Sequence, residues 1–156
     1  MDSTAGAVPG KRGIVMEDRY LFRGKRIDNG EWVQDYLFDD GFENGRVFVG
    51  GLVIEKYNGT ACDDWTVTGI NFCEINPNTI CQCTGLKDKN GNLIWENDIV
   101  ETQYGKAIVI WDKLEWRIKW IDDLIWRKDL HYWANDNSWR IEVIGNKFDN
   151  PELLEV

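Results

Sequence analysis

Thr79-Ile80-Cys81-Gln82-Cys83-Thr84-Gly85-Leu86-Lys87-Asp88-Lys89-Asn90-Gly91-Asn92-Leu93-Ile94-Trp95-Glu96-Asn97-Asp98-Ile99-Val100 is the densest block of strand pattern and turn chemistry in the chain. Ile80 to Leu86 reads as a strand and Leu93-Ile94-Trp95 as its return. Lys89-Asn90-Gly91 between them reads as a tight turn, because Asn and Gly accept the positive φ that a hairpin loop demands. Glu96-Asn97-Asp98 turns the chain again, with Asn97 suited to a left-handed conformation and Asp98 to accepting nearby backbone N–H groups. Ile99-Val100 opens the next strand. Asp88 and Asp98 therefore read first as turn-stabilising carboxylates, since a pair of acids becomes an acid/base or metal argument only beside a pocket or further ligands.

Towards the C-terminus, Asp98 to Gln103 continues as a strand and Tyr104-Gly105-Lys106 turns it. Ala107 to Trp111 is apolar on both faces, as a central strand is. After a turn at Asp112-Lys113, Leu114, Trp116, Ile118 and Trp120 alternate with Glu115, Arg117 and Lys119. That period of two predicts one face in the core and one in water. Asp122 to Tyr132 is ambiguous between an irregular strand and a short helix capped by Asp122 or Asp123 and carrying Leu124, Ile125 and Leu130. Asn135-Asp136-Asn137 reads as a turn, and Trp139, Ile141 and Val143 alternate with Arg140 and Glu142 in a last strand. Asn150-Pro151-Glu152 predicts a cap, a first-position Pro and an acidic first turn, hence a short terminal helix with Leu153 and Leu154.

Towards the N-terminus, Arg19 to Ile27 and Glu31 to Phe38 form a strand pair about Asp28-Asn29-Gly30. Arg46 to Ile54 is a third strand, its Gly50-Gly51 pair marking a bulge or a close backbone approach. Tyr57 to Asp64 reads as a loop, Trp65 to Ile70 as a short strand, and Cys73 to Ile75 as another strand or a crossover. Asn76-Pro77-Asn78 interrupts regular structure and is the best boundary. Residues 1–15, with Pro9 and three glycines, read as a flexible tail ahead of Met16. The expected organisation is mainly β: an N-terminal hairpin or meander region over 16–78, and five closely spaced strands over 79–156 that suggest a small SH3-like β-barrel with a short C-terminal helix.

The pattern Thr79-Ile80-x-Gln82-x-Thr84-Gly85-Leu86-x-Asp88-x-Asn90-Gly91-x-x-Ile94-x-Glu96-x-Asp98-Ile99-Val100 resembles the YopX family of phage and prophage proteins. Phe22-Arg23-Gly24-Lys25 with Gly30-Glu31-Trp32-Val33 resembles the family's opening hairpin, and Glu142-Val143-Ile144-Gly145-Asn146-Lys147-Phe148-Asp149-Asn150-Pro151-Glu152-Leu153-Leu154 its closing motif. The three stretches fall in order over nearly the whole chain. One departure is Asn97, where the family usually has Gly. The resemblance implies a β-rich, phage-encoded protein of the bacterial cytoplasm. It carries over no catalytic residue. The motif residues Thr84, Gly85, Asp88, Gly91, Glu96, Asp98, Gly145 and Asn146 are the candidate positions it singles out.

A net charge of −9 and a pI near 4.6 argue against non-specific binding to duplex nucleic acid, which needs clustered Lys and Arg. No run of 18 apolar residues predicts a membrane helix. Cys81 and Cys83 fall on one strand face. With Cys62 and Cys73 they do not show the paired spacing of a zinc knuckle, so reduced, buried thiols are expected and no metal or cofactor. The sole histidine, His131, has neither nucleophile nor second base placed beside it in sequence. These readings favour a non-enzymatic module that binds a host or phage protein, with self-association through an apolar patch as a companion expectation. The alternative is a single-strand nucleic-acid binder stacking bases on Trp111, Trp116, Trp120, Trp126, Trp133 or Trp139, with Arg19, Arg23, Lys25 and Arg26 as its only compact basic cluster. A metal-dependent enzyme using Asp88 and Asp98 is the third class. Most of the tryptophans read as core.

Overall fold

The computed structural model describes residues 17–57, 65–122, 127–134 and 141–155, with the backbone alone for 52–57 and 65–70. The expectations for residues 1–15, the 58–64 part of the loop, Cys62, Asp123, Leu124, Ile125, Trp126, Asn135-Asp136-Asn137, Trp139 and Arg140 lie outside the described residues. The fold is mainly β, with ten strands in two antiparallel sheets among the described residues.

Strands β1 (Phe22–Lys25), β2 (Trp32–Asp39), β3 (Val47–Tyr57), β4 (Trp65–Ile75), β5 (Cys81–Lys87) and β6 (Leu93–Trp95) form a six-stranded sheet in the order β4-β3-β2-β1-β5-β6. Strands β7 (Asp98–Thr102), β8 (Gly105–Asp112), β9 (Glu115–Trp120) and β10 (Glu142–Asn146) form a second sheet in the order β10-β7-β8-β9. Helix α1 (Leu130–Trp133) packs against β9.

The strands expected to make one barrel are thus divided between two open sheets. Strand β1 takes up the edge of β5, pairing Phe22 with Gln82 and Arg23 with Cys81. The second sheet is built instead by β7, which pairs with β8 on one side and β10 on the other. Hydrogen-bonded pairing therefore crosses the boundary at Asn76-Pro77-Asn78, where a 3₁₀ turn, Pro77–Thr79, is capped by the Asn76 carboxamide accepting from Asn78 N at 3.0 Å. The far strand β4 meets the chain again just after β1 at one bridge, Arg26 with Ile75.

Other local expectations are sharpened or corrected. Trp65–Ile75 is one continuous strand rather than two pieces. The Gly50-Gly51 pair is a close approach, because a Cβ on Gly50 would lie 2.6 Å from Phe72 Cα. The register shifts of this hairpin fall further along, between Val53 and Lys56. The first strand is shorter than expected, since Asp18–Tyr20 forms a 3₁₀ turn ahead of it. Among the described residues of the ambiguous segment, a short helix begins after Asp129 and carries Leu130. The C-terminal helix is one 3₁₀ turn, Pro151–Leu154. Asn150 makes no cap there, because its carboxamide accepts from Asn146 N instead.

Two apolar clusters hold the molecule. One gathers Ile94, Val100, Ala107, Val109, Ile118, Trp120, Leu130, Trp133 and Ile141 beneath the second sheet and α1. Trp120 and Trp133 meet edge to face at 5.6 Å, so both serve the core, as does Trp95 in the other cluster. That second cluster is Cys81, Cys83 and Trp95, covered by Leu21, Trp32, Leu93 and Phe148. Its two cysteines confirm the shared strand face read from Cys81-x-Cys83.

Candidate functional site

The Thr84-Gly85 pair answers a local geometric need. The β5–β6 ladder shifts register between Cys83 and Lys87, so residues 84–86 bulge. Gly85 takes φ +77°, a conformation a Cβ disfavours. The Thr84 hydroxyl bridges the bulge, donating to Ile94 O at 2.7 Å and accepting from Leu86 N at 3.1 Å. Gly91 sits in the hairpin turn at φ +80°, as the sequence predicts.

Asp88 is buried and fully occupied. One carboxylate oxygen accepts from Asn90 N and Asn92 N, both at 2.9 Å. The other accepts from Val143 N at 3.0 Å and Asn92 Nδ2 at 3.4 Å. A turn carboxylate thus also ties the first sheet to β10. Beside it Lys89 pairs with Glu142, and Lys89 N donates to Ile141 O.

Asp98 is the centre of the junction between the sheets. Asn97, at φ +67°, swings the chain out of β6, and Asp98 Oδ2 accepts from Trp95 N at 2.8 Å. Its Oδ1 accepts from Arg23 Nη2 at 2.5 Å. The Arg23 guanidinium lies between two indoles, 4.7 Å from the Trp32 ring and 5.1 Å from that of Trp95. Its Nε is buried without a hydrogen-bond partner among the described residues, and the ring faces of Trp32 and Trp95 supply the compensating attraction. Burial pushes the Asp98 carboxyl up to about 6, outweighing the pull of the Arg23 charge and the Trp95 N–H.

The closing motif completes the same junction. Trp32 Nε1 donates to Asp149 Oδ2 at 2.7 Å, and Lys25 pairs with the other oxygen of Asp149. Asn146 donates to Asp149 Oδ2 at 3.1 Å and accepts from Phe148 N at 3.0 Å and Asp149 N at 3.1 Å. Lys147 N donates to Asn97 O at 3.0 Å. Gly145 packs on Asn150, where a Cβ would collide with the carboxamide. Glu96 is half-buried, its carboxylate accepting from Gln82 N at 3.3 Å. The opening, central and closing motifs therefore meet in one place.

What this arrangement can do chemically is limited by how its groups are used. The oxygens of Asp88 and Asp98 already accept N–H donors, and among the described residues no group of three or more His, Cys, Asp or Glu is placed to hold a metal. Burial raises the Cys81 and Cys83 thiols above their ordinary range, which disfavours the thiolate. His131 lies exposed on α1. Two surface grooves, one lined by Ile108, Lys119, Trp120, Ile121 and Leu154 and the other by Arg26, Ile27, Asp28, Phe72, Cys73 and Glu74, contain neither Asp88 nor Asp98.

One exposed apolar feature lies elsewhere, at the end of the β8–β9 hairpin. Asp112 faces Glu115, so Lys113 and Leu114 form a two-residue loop at φ +53° and +63°. Leu114 is therefore not in the inward-facing row with Ile118 and Trp120; it is 88% exposed. Trp111 is 52% exposed and meets Trp116 edge to face at 5.0 Å. Sequence reasoning missed this tip because neither Lys nor Leu announces a left-handed turn.

The family model described as YopX protein matches residues 21–155, which takes in all three motifs. No curated protein matches the chain. Among the described residues, no helix is long and apolar enough to cross a membrane.

Proposed function

The chain belongs to the YopX family, and on that premise we propose that it is a non-enzymatic protein-interaction module whose contact element is the β8–β9 hairpin end. The observation that carries this reading is Leu114. An apolar side chain is held almost wholly in water, on backbone angles that cost a non-Gly residue roughly 1–2 kcal/mol. Strain and exposed apolar surface at one point gain a rationale when a partner covers them. Trp111 beside it supplies the kind of aromatic anchor that dominates interface energetics. Among the neighbouring charges, Arg117 pairs with Glu115 at 2.6 Å and approaches Asp112 at 3.7 Å. An apolar cleft on a host or phage protein, in the cytoplasm of a bacterial host, is the partner this tip suits.

The nucleic-acid reading has less support. Trp111 could stack a base, but the cations it needs are already committed. Arg19 pairs with Glu17, Arg23 with Asp98, Lys25 with Asp149 and Arg26 with Asp28. Phosphates would have to displace four carboxylates.

The test is capture from an induced bacterial host with the tagged chain and its Leu114→Asp variant, half of each eluate treated with nuclease. The expected result is a stoichiometric protein that survives nuclease and is lost from the variant, while the melting temperature is unchanged. Nucleic acid in the eluate, with proteins released by nuclease, would transfer support to the Trp-stacking reading. Equal capture by the variant would remove the hairpin end from the account.

A further inference from the structure

We propose that the outer edge of β4 pairs with the same edge of a second copy, antiparallel about a two-fold axis at Asn71. Natural sheet edges are guarded by charges, Pro or bulges, because their free N–H and C=O groups template further pairing. β4 is the outermost strand of the six-stranded sheet. Its regular part is bounded at both ends. At one end Val53 faces Gly69 and Ile54 faces Val67, so Thr68 is an extra residue that breaks the edge. At the other, Ile27 N donates to Glu74 O at 3.1 Å and Arg26 bridges Ile75, so the edge is covered. Between them Gly69-Ile70-Asn71-Phe72-Cys73 contains neither a charge nor a Pro. Among the described residues its outer side has no backbone partner.

The centre of that open segment is Asn71, and a second copy suits it as occupant because the uncharged segment can pair with itself about that point. Antiparallel pairing about Asn71 sets Ile70 against Phe72 of the other chain, Phe72 against its Ile70, and Gly69 against its Cys73. A two-fold axis normal to the sheet keeps equivalent faces on one side. The exposed aromatic cluster, in which Phe38 stacks on Phe48 at 5.6 Å and Phe72 meets both edge to face, then adjoins its own copy. Phe72 is 51% exposed and Ile27 beside it 59%. The covered end of the edge also carries a groove of about 300 Å³ lined by Arg26, Ile27, Asp28, Phe72, Cys73 and Glu74. The pairing brings the other chain's glycine, Gly69, to that end, where there is room for a backbone and none is lost to a side chain. An uncharged seam also lets two chains of net charge −9 approach without opposing like charges along it.

The position on the axis gives a specific test. Sedimentation of the full chain over a range of concentrations should show a monomer–dimer equilibrium. Asn71→Lys and Asn71→Asp each place a charge opposite itself, and each should weaken the dimer at least tenfold, while the melting temperature at concentrations where the chain is monomeric stays unchanged because Asn71 is exposed. An equimolar mixture of the two variants should restore it as a heterodimer. A monomer at all concentrations, a dimer indifferent to both variants, or a mixture that stays monomeric each overturns the proposal. The hairpin end at Leu114 is not part of this seam, so the partner capture described above tests a separate surface.

Discussion

Arg23 on β1 and Asp98 on β7 stand 2.5 Å apart across the junction of the two sheets, with the cation held between the rings of Trp32 and Trp95. Neither charge has much access to water, the side chains being 16% and 2% exposed. A buried pair of this kind stabilises little against an apolar replacement of both members, but removing one member strands the other. Asp98→Ala and Arg23→Ala should each cost about 3–5 kcal/mol, and the double variant clearly less than their sum. Urea unfolding of the four proteins of the cycle measures the coupling.

The same carboxyl sets a pH dependence. Asp98 titrates at about 6 when folded and at 3.8 in its ordinary state, so between these values the folded chain binds the extra proton. Stability from this group therefore rises as pH falls from 7 towards 4, by about 3 kcal/mol when complete. Asp149 acts oppositely. Its bonds to Lys25, Trp32 and Asn146 hold its carboxyl down to about 2, and the stability they confer is lost as pH falls from 4 to 2. The melting temperature should pass through a maximum near pH 4, and Asp98→Asn should remove the slope between pH 4 and 6.

Asp88 predicts a loss without a charge effect. Its carboxylate accepts four N–H groups, three of them from the backbone of Asn90, Asn92 and Val143. Asp88→Asn keeps the shape but offers a single acceptor oxygen, leaving a buried donor unmet at about 1–3 kcal/mol. Hydrogen exchange should locate the damage at Val143 and the hairpin turn together.

The hairpin end predicts a gain. Replacing Lys113-Leu114 by Asn-Gly supplies the residues that a two-residue loop with two positive φ angles favours. Stability should rise by about 1–2 kcal/mol on thermal unfolding. If the tip is the contact element, partner capture falls in the same variant, which separates the strain from a folding role.

Thiol chemistry checks the second core cluster. Cys81 donates to Thr79 O at 3.3 Å and is buried with Cys83, and both thiols are raised by that burial. An aromatic disulfide reagent should modify Cys73, which is half-buried, well before either of them. Cys81 and Cys83 should react at the rate of unfolding.

Much of the fold is legible residue by residue. Gly91 and Asn97 announce their own backbone angles, Ala107 to Trp111 announces a central strand, and Asn76-Pro77-Asn78 a break. These are local properties, set by sterics and by the alternation of apolar residues along a few consecutive positions. The three motifs are equally plain as sequence. That they are three sides of one joint is not, because Arg23 and Asp98 are 75 residues apart and nothing in either neighbourhood names the other.

Strand partnership is likewise a tertiary decision. Alternation shows that β5 is a strand, but only the competition for its edge determines that β1 takes it and that the following strands build a second sheet. Leu114 shows the same limit at a single residue. Its place in the period of two was correct for an uninterrupted strand, and the pairing of Asp112 with Glu115 moved it into the turn and out into water. The sequence by itself determined which segments extend, which residues bend the chain and which family it resembles, since those depend on nearest neighbours. Which edges meet, which charges are buried together and which apolar side chains are left outside were decided by packing, since those depend on everything else in the chain.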